Sequence, residues 1–154
     1  LASRTGVIEA MSETVLKSGR PFLGVCVGMQ LMADVGREDV ETPGLGWIAG
    51  AVERIRPVNP AGGRLPVPHM GWNVLTNLKP HPLLAGLGAA PHVYFVHSYA
   101  LTASKPDHVA AHCDYGGAIV AAVARNNLFG TQFHPEKSQH AGQLLLANFL
   151  RWKP

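Results

Sequence analysis

The chain has 154 residues, 47% hydrophobic and 15% charged, enough for one compact domain with a sizeable core. Its net charge of +3 comes from scattered basic residues, so a pI near 9.1 does not indicate a nucleic-acid partner. Two cysteines make no disulfide framework, no apolar run is long enough for a membrane span, and no basic-then-apolar leader is visible. The expectation is a cytoplasmic, reducing location with no membrane partner.

Taken in order, Val7, Met11 and Val15 recur at helical spacing beside Ile8 and Leu16, and Lys17 and Gly19 supply a basic last turn and a stop. The chain enters this pattern almost at once from Leu1, without an initiator methionine, as a fragment would. Phe22–Val25 suits a buried parallel strand, and the following Met29–Met32 a buried helix. Asp34 to Gly46 is polar and glycine-rich and reads as a loop, with Trp47–Ile48 and Val52–Ile55 as strand candidates. Pro57 to Pro68 is a loop with Gly62-Gly63 at its tip.

Further on, Met70–Leu75 and His92–Ala100 read as strands, with a helical turn at Pro82–Leu87 between them. Val109–Cys113 and Ala118–Arg125 flank a Tyr115-Gly116-Gly117 turn as a hairpin, and Leu128–Phe133 is another buried strand. Ser138 is placed to N-cap a closing helix with Leu145, Leu146, Phe149 and Leu150 as its apolar face. Buried strands alternating with helices give the α/β class.

The chemistry starts at Gly24-Val25-Cys26-Val27-Gly28, a nucleophile with glycine two residues before and two after it. This is the strand–turn–helix elbow with cysteine in place of serine. A Cβ at either glycine would clash where the strand turns sharply into the helix. The helix N-terminus would favour thiolate over thiol, and the N–H of Val27 would point at a developing oxyanion. The alternative for any free cysteine is a buried structural role. Cys113, in an alternating stretch without glycine framing or a following helix, fits that role; Cys26 fits the catalytic one.

The strand Leu128–Phe133 ends in His134-Pro135-Glu136-Lys137-Ser138. A thiol nucleophile needs a base to take its proton and later protonate a leaving amine. His134 is at a strand terminus, where α/β folds carry their sites. Glu136 can accept from the imidazole's other nitrogen, and Pro135 limits how far the pair can drift. The remaining histidines show no metal-ligand spacing, and neither a metal nor another cofactor is expected.

Gly-x-Cys-x-Gly followed far downstream by His-Pro-Glu resembles the class I glutamine amidotransferases. Gly24–Gln30 (GVCVGMQ), Pro68–Asn73 (PHMGWN), Tyr94–Tyr99 (YFVHSY) and Gly130–Ser138 (GTQFHPEKS) narrow the resemblance to the glutaminase subunits of imidazole glycerol phosphate synthase. It implies a flavodoxin-like, mostly parallel central sheet flanked by helices, with an additional antiparallel section. It also implies a single glutamine amidotransferase domain over 1–154 that lacks the family's first N-terminal βαβ region, including a Pro-Gly-x-Gly loop that supplies a second oxyanion donor.

The resemblance assigns Cys26, His134 and Glu136 as a triad that hydrolyses glutamine to glutamate and ammonia. Gln30 and Glu38 match glutamine contacts, with the backbone of His97, Ser98 and Tyr99 lining the same pocket. Met70, Trp72, Tyr94 and Lys137 match the interface with the cyclase subunit, which receives the ammonia for histidine biosynthesis. Read without it, Gln30 is equally a helix-surface residue, Glu38 a solvated loop charge, and the Trp–Tyr–Met group core packing. Two other functions stay open: a docking module of the same complex that does not turn over, and another class I amidotransferase or γ-glutamyl hydrolase.

Overall fold

The computed structural model describes residues 6–154; the expectations attached to the start at Leu1 lie outside them. Ten strands and three α-helices are organised around two four-stranded sheets and a hairpin among the described residues. The first sheet has the order β1 (Phe22–Val25), β10 (Leu128–Thr131), β9 (Ala118–Arg125), β8 (Val109–Asp114). The second runs β3 (Glu41–Pro43), β2 (Val35–Arg37), β4 (Gly50–Arg54), β7 (Tyr99–Ala103). Strands β5 (His69–Val74) and β6 (His92–His97) pair with each other.

Alternation along the first sheet builds a core on both of its faces. Phe129 and Ala122 join a cluster with Phe95, Phe133, Leu145 and Trp152, on the side covered by α3 (Gln139–Arg151). Their neighbours Leu128 and Val123 join a second cluster with Met29, Met32, Trp47, Ile48 and Leu101. That second cluster receives α2 (Val27–Gln30), and the first helix enters it through Val15. This helix comprises α1 (Val7–Ser12) and a π-helical turn at Glu13–Lys17, after which Gly19 adopts φ 68°.

The α/β class is as expected, but the pairing is mixed rather than mostly parallel. Only β1–β10 and β2–β4 are parallel; the other five pairings among the described residues are antiparallel. Short connections enforce this, since the two-residue link Asn126-Asn127 between β9 and β10 can join antiparallel strands alone. The expected loop over 34–46 contains β2 and β3. Both are three residues long and carry no apolar alternation; β2 is held by β4, and β3 pairs with β2 as the edge strand. Trp47 and Ile48 are buried but form no strand, because both N–H groups donate to Met32 O. The expected strand 92–100 breaks at Ser98, where the partner changes from β5 to β4.

The hairpin β8–β9 follows the expectation, and 82–87 contributes a short 3₁₀ turn at Pro82–Leu84. On α3, Leu145 is fully buried but Leu150 is 85% exposed. Five residues on a helix correspond to about 140° of rotation, which carries Leu150 off the apolar face.

Candidate active site

The elbow is built by close backbone approach. Cys26 has φ 51° and ψ −109°, outside the conformations an L-residue prefers, at the junction of β1 and α2. Strand β1 ends beside β10, with Gly24 opposite Gly130 and Val25 opposite Thr131. The Cys26 N–H continues this ladder by donating to Thr131 O at 2.7 Å, and Cys26 O accepts from Met29 N and Gln30 N. A Cβ on Gly24 would lie 2.6 Å from Gly28 O and 2.8 Å from Met29 N, so glycine is required there. Gly28 departs from the expectation: a Cβ there meets nothing within 4 Å. The first glycine makes the elbow possible; the second is not needed sterically by its surroundings.

The sulfur's electrostatics also depart from the expectation. Burial pushes the Cys26 thiol above its ordinary value, the Val27 N–H and the Gln132 amide pull it down, and Glu136 adds to the upward push. With four residues, α2 has too few aligned peptides for its dipole to overcome desolvation. Nε2 of Gln132 lies 3.6 Å from Cys26 Sγ as a hydrogen-bond donor. Val27 itself is 61% exposed at the mouth of the site.

His134 follows the end of β10. Its Nδ1 is 2.6 Å from Glu136 Oε1, and since a carboxylate accepts, Nδ1 carries the proton and Nε2 the lone pair of the neutral ring. That Nε2 is buried and has no hydrogen-bond partner among the described residues. The main chain of His134 is held on both sides. Its N–H donates to Tyr94 O at 2.9 Å, and its carbonyl accepts from Ser138 Oγ at 2.6 Å. Ser138 Oγ in turn accepts from Tyr94 N at 2.9 Å. Ser138 does occupy the residue before α3, but its side chain makes no cap bond and ties the His-Pro-Glu turn to β6 instead.

Beside the elbow lies a cleft of about 240 Å³ whose lining includes Val27, Gln30, Arg37, Glu38, Val40 and Tyr99. Gln30 and Glu38 thus face one space, reached from α2 and from the turn between β2 and β3. Gln30 Nε2 donates to Tyr99 O at 2.9 Å and to Gln132 Oε1 at 3.0 Å. Both its amide protons are used within the protein, which leaves Oε1 for a ligand. His97 and Ser98 do not line this cleft. His97 is buried behind it, donating from Nδ1 to Tyr99 O at 2.9 Å, while Nε2 meets His69 Nδ1 at 3.0 Å. Ser98 O accepts from Ile55 N, part of the sheet framework.

The residues matched to a partner interface form one outward patch. Met70 and Trp72, two apart on β5, are 61% and 49% exposed. Trp72 meets Tyr94 edge to face at 5.9 Å, across the register Trp72↔Tyr94, and Lys137 Nζ lies 5.9 Å from the Tyr94 ring centroid. Through Tyr94, whose main chain bonds His134 and Ser138, this patch adjoins the His-Pro-Glu turn.

Sequence reasoning did not single out Gln132, Ser138 or His69 for the site. The signal for Gln132 was a polar residue inside an otherwise buried apolar strand end. His69 stacks between Phe95 and Tyr115, and burial lowers it to about 4. No three His, Cys, Asp or Glu side chains among the described residues group as a metal site.

Residues 2–152 match the family model described as glutamine amidotransferase class-I. The imidazole glycerol phosphate synthase subunit HisH of Cereibacter sphaeroides is 54% identical over 154 residues, covering all of this chain and 71% of that protein. The protein of the same name from Rhodospirillum rubrum is 55% identical over 150 residues, covering 97% of this chain and 69% of that one. The solved structure of a putative GMP synthase component from Thermoplasma acidophilum aligns with TM-score 0.65 at 19% identity, over 94% of this chain and 63% of its own. A glutamine amidotransferase from Thermotoga maritima aligns with TM-score 0.61 at 14% identity, over 97% of this chain and 56% of its own. Those two likenesses establish the fold. The chain belongs to the class I glutamine amidotransferases and, among them, to the family of the imidazole glycerol phosphate synthase subunit HisH.

Proposed function

We propose that residues 1–154 act as a single amidotransferase domain that hydrolyses glutamine to glutamate and ammonia, and passes the ammonia to a cyclase subunit for imidazole glycerol phosphate formation in histidine biosynthesis. The observation that carries this reading is the β1–β10 register, which sets the Cys26 elbow beside the strand that leads, three residues on, to His134. The proposed compartment is the cytoplasm, where a free thiol stays reduced.

In this reading, Nε2 of His134 takes the Cys26 proton, with Glu136 holding the tautomer that leaves this nitrogen basic. The thiolate attacks the side-chain amide carbon of glutamine, forming the C–S bond and an oxyanion that accepts from the Val27 N–H. The C–N bond then breaks, and the departing nitrogen takes the proton from His134 to leave as ammonia. Water attacks the resulting glutamyl thioester, His134 accepts its proton, and C–S cleavage releases glutamate and restores the thiol. Glu38 has the charge for the substrate's α-ammonium, Gln30 presents Oε1, and the main chain of His97, Ser98 and Tyr99 supports the pocket wall. Met70, Trp72, Tyr94 and Lys137 form the surface for the cyclase subunit.

The test is glutamate release from glutamine by the chain alone and with a cyclase subunit plus its nucleotide ligand. Release that rises on adding the partner supports the amidotransferase reading. No release in either condition from a folded chain contradicts it for these residues and favours a docking module.

A further inference from the structure

Gln132 is fully buried and takes no part in the steps above. A primary amide has two donors and an acceptor, and burial makes each unanswered group costly. Nε2 of Gln132 meets Cys26 Sγ at 3.6 Å, and Oε1 meets Gln30 Nε2 at 3.0 Å. An amide turned end for end keeps nearly the same shape, so its orientation has to come from its neighbours.

The neighbours decide it. The Tyr99 carbonyl can only accept, so Gln30 presents Nε2 to it. The second proton on that nitrogen needs an acceptor, so Gln132 turns Oε1 towards Gln30. Its own Nε2 is then left facing the sulfur. The reverse orientation would set two amide nitrogens 3.0 Å apart, losing the bond between the amides, and would face Cys26 with a carbonyl oxygen that can accept from the thiol but repels the thiolate. The backbone keeps the segment in register, because Cys26 N donates to Thr131 O and Gln132 N donates to Ala121 O.

From this we infer that Gln132 is a further catalytic residue of the same site, donating a hydrogen bond to the Cys26 thiolate, with Gln30 as the positioning residue that fixes which end of the amide faces the sulfur. The inference rests on Cys26 being the nucleophile. A donor aimed at the sulfur favours its ionised form and offsets part of the burial. The charged groups bearing on the sulfur are Glu136 and Lys137, opposite in sign, both on the turn that carries His134. A buried amide with a purely structural role would change the melting temperature on substitution and leave the ionisation of Cys26 where it was.

The experiment is the pH dependence of Cys26 alkylation by iodoacetamide on the full chain, read by peptide mass, with buried Cys113 as the internal reference. Gln132→Met should raise the Cys26 midpoint by about one unit, roughly a tenfold loss of thiolate at a fixed lower pH. Gln30→Met should move it the same way by less. An unchanged midpoint in folded Gln132→Met overturns the inference. Should that variant not fold, Gln132→Asn, whose amide is one methylene short of the sulfur, has to show the same rise, and no rise overturns it equally. If Cys26→Ala still released glutamate from glutamine, the nucleophile assignment would fall and this inference with it. A shift-free Gln132→Met in a chain whose Cys26→Ala variant is dead removes the inference alone.

Discussion

The two cysteines occupy opposite kinds of environment in one sheet. Cys113 lies on β8, fully enclosed by apolar side chains, with Asp114 beside it, and desolvation pushes its thiol up to about 12. Cys26 sits at the open end of β1, half-buried, on a backbone with φ 51°, with the Val27 N–H and the Gln132 amide turned to its sulfur. Both thiols are raised by burial, and the donors at Cys26 counter that push. In the proposed site, reactivity depends on the donors and access around the sulfur, not on cysteine as such.

The comparison is sharpest in activity. Cys26→Ala should lower glutamine hydrolysis by about 10⁴-fold or more, because the covalent step has no substitute. Ammonia-dependent activity of a complex with the cyclase should survive. Cys113→Ala should leave turnover within about twofold and show its effect in thermal denaturation. Comparable losses for the two variants would break the distinction.

The closed region also has a pH signature. His69, stacked between Phe95 and Tyr115, is held near 4 when folded, against 6.5 for an ordinary histidine, and His97 is lowered in the same direction. Between these values the unfolded chain binds the proton that the folded chain refuses. Stability is therefore full above about pH 6.5 and falls as the pH drops towards 4, by up to about 3 kcal/mol from His69. Denaturant titrations at pH 7.5 and 4.5 measure this, and a His69→Gln variant should flatten the slope.

The elbow makes a structural prediction of similar size. Gly24→Ala forces a Cβ against Gly28 O and should cost about 1–3 kcal/mol. Gly28→Ala meets open space and should stay within about 0.5 kcal/mol. Melting temperatures of the pair decide whether the two glycines are as unequal as their surroundings.

The smallest effect belongs to the outward patch. Lys137→Ala should weaken binding of the cyclase subunit by about 0.5–1 kcal/mol while leaving glutamine affinity unchanged. Equal partner affinity in a calorimetric titration would remove Lys137 from the proposed interface.

What was legible in the sequence was local. Gly24, Cys26 and the His-Pro-Glu run carry their geometry in adjacent residues, as does the β8–β9 hairpin around Tyr115-Gly116-Gly117. What was not legible depends on distant partners. Strand β2 exists because β4 pairs with it and β3 because β2 does, and the break at Ser98 exists because β6 and β7 pair with different strands. Ser138 looked like a helix cap because its hydroxyl's acceptor and donor, His134 O and Tyr94 N, come together only in the fold. Gln132 and Gln30 are 102 residues apart, and no local pattern announces that their amides meet.

The most direct test of the central claim is a peptide map after exposure to a glutamine-like electrophile. A single adduct on Cys26, none on Cys113, and protection by excess glutamine is the predicted result. An adduct on Cys113, or a folded chain in which Cys26 stays unmodified, would contradict the assignment of the elbow as the glutamine-hydrolysing site.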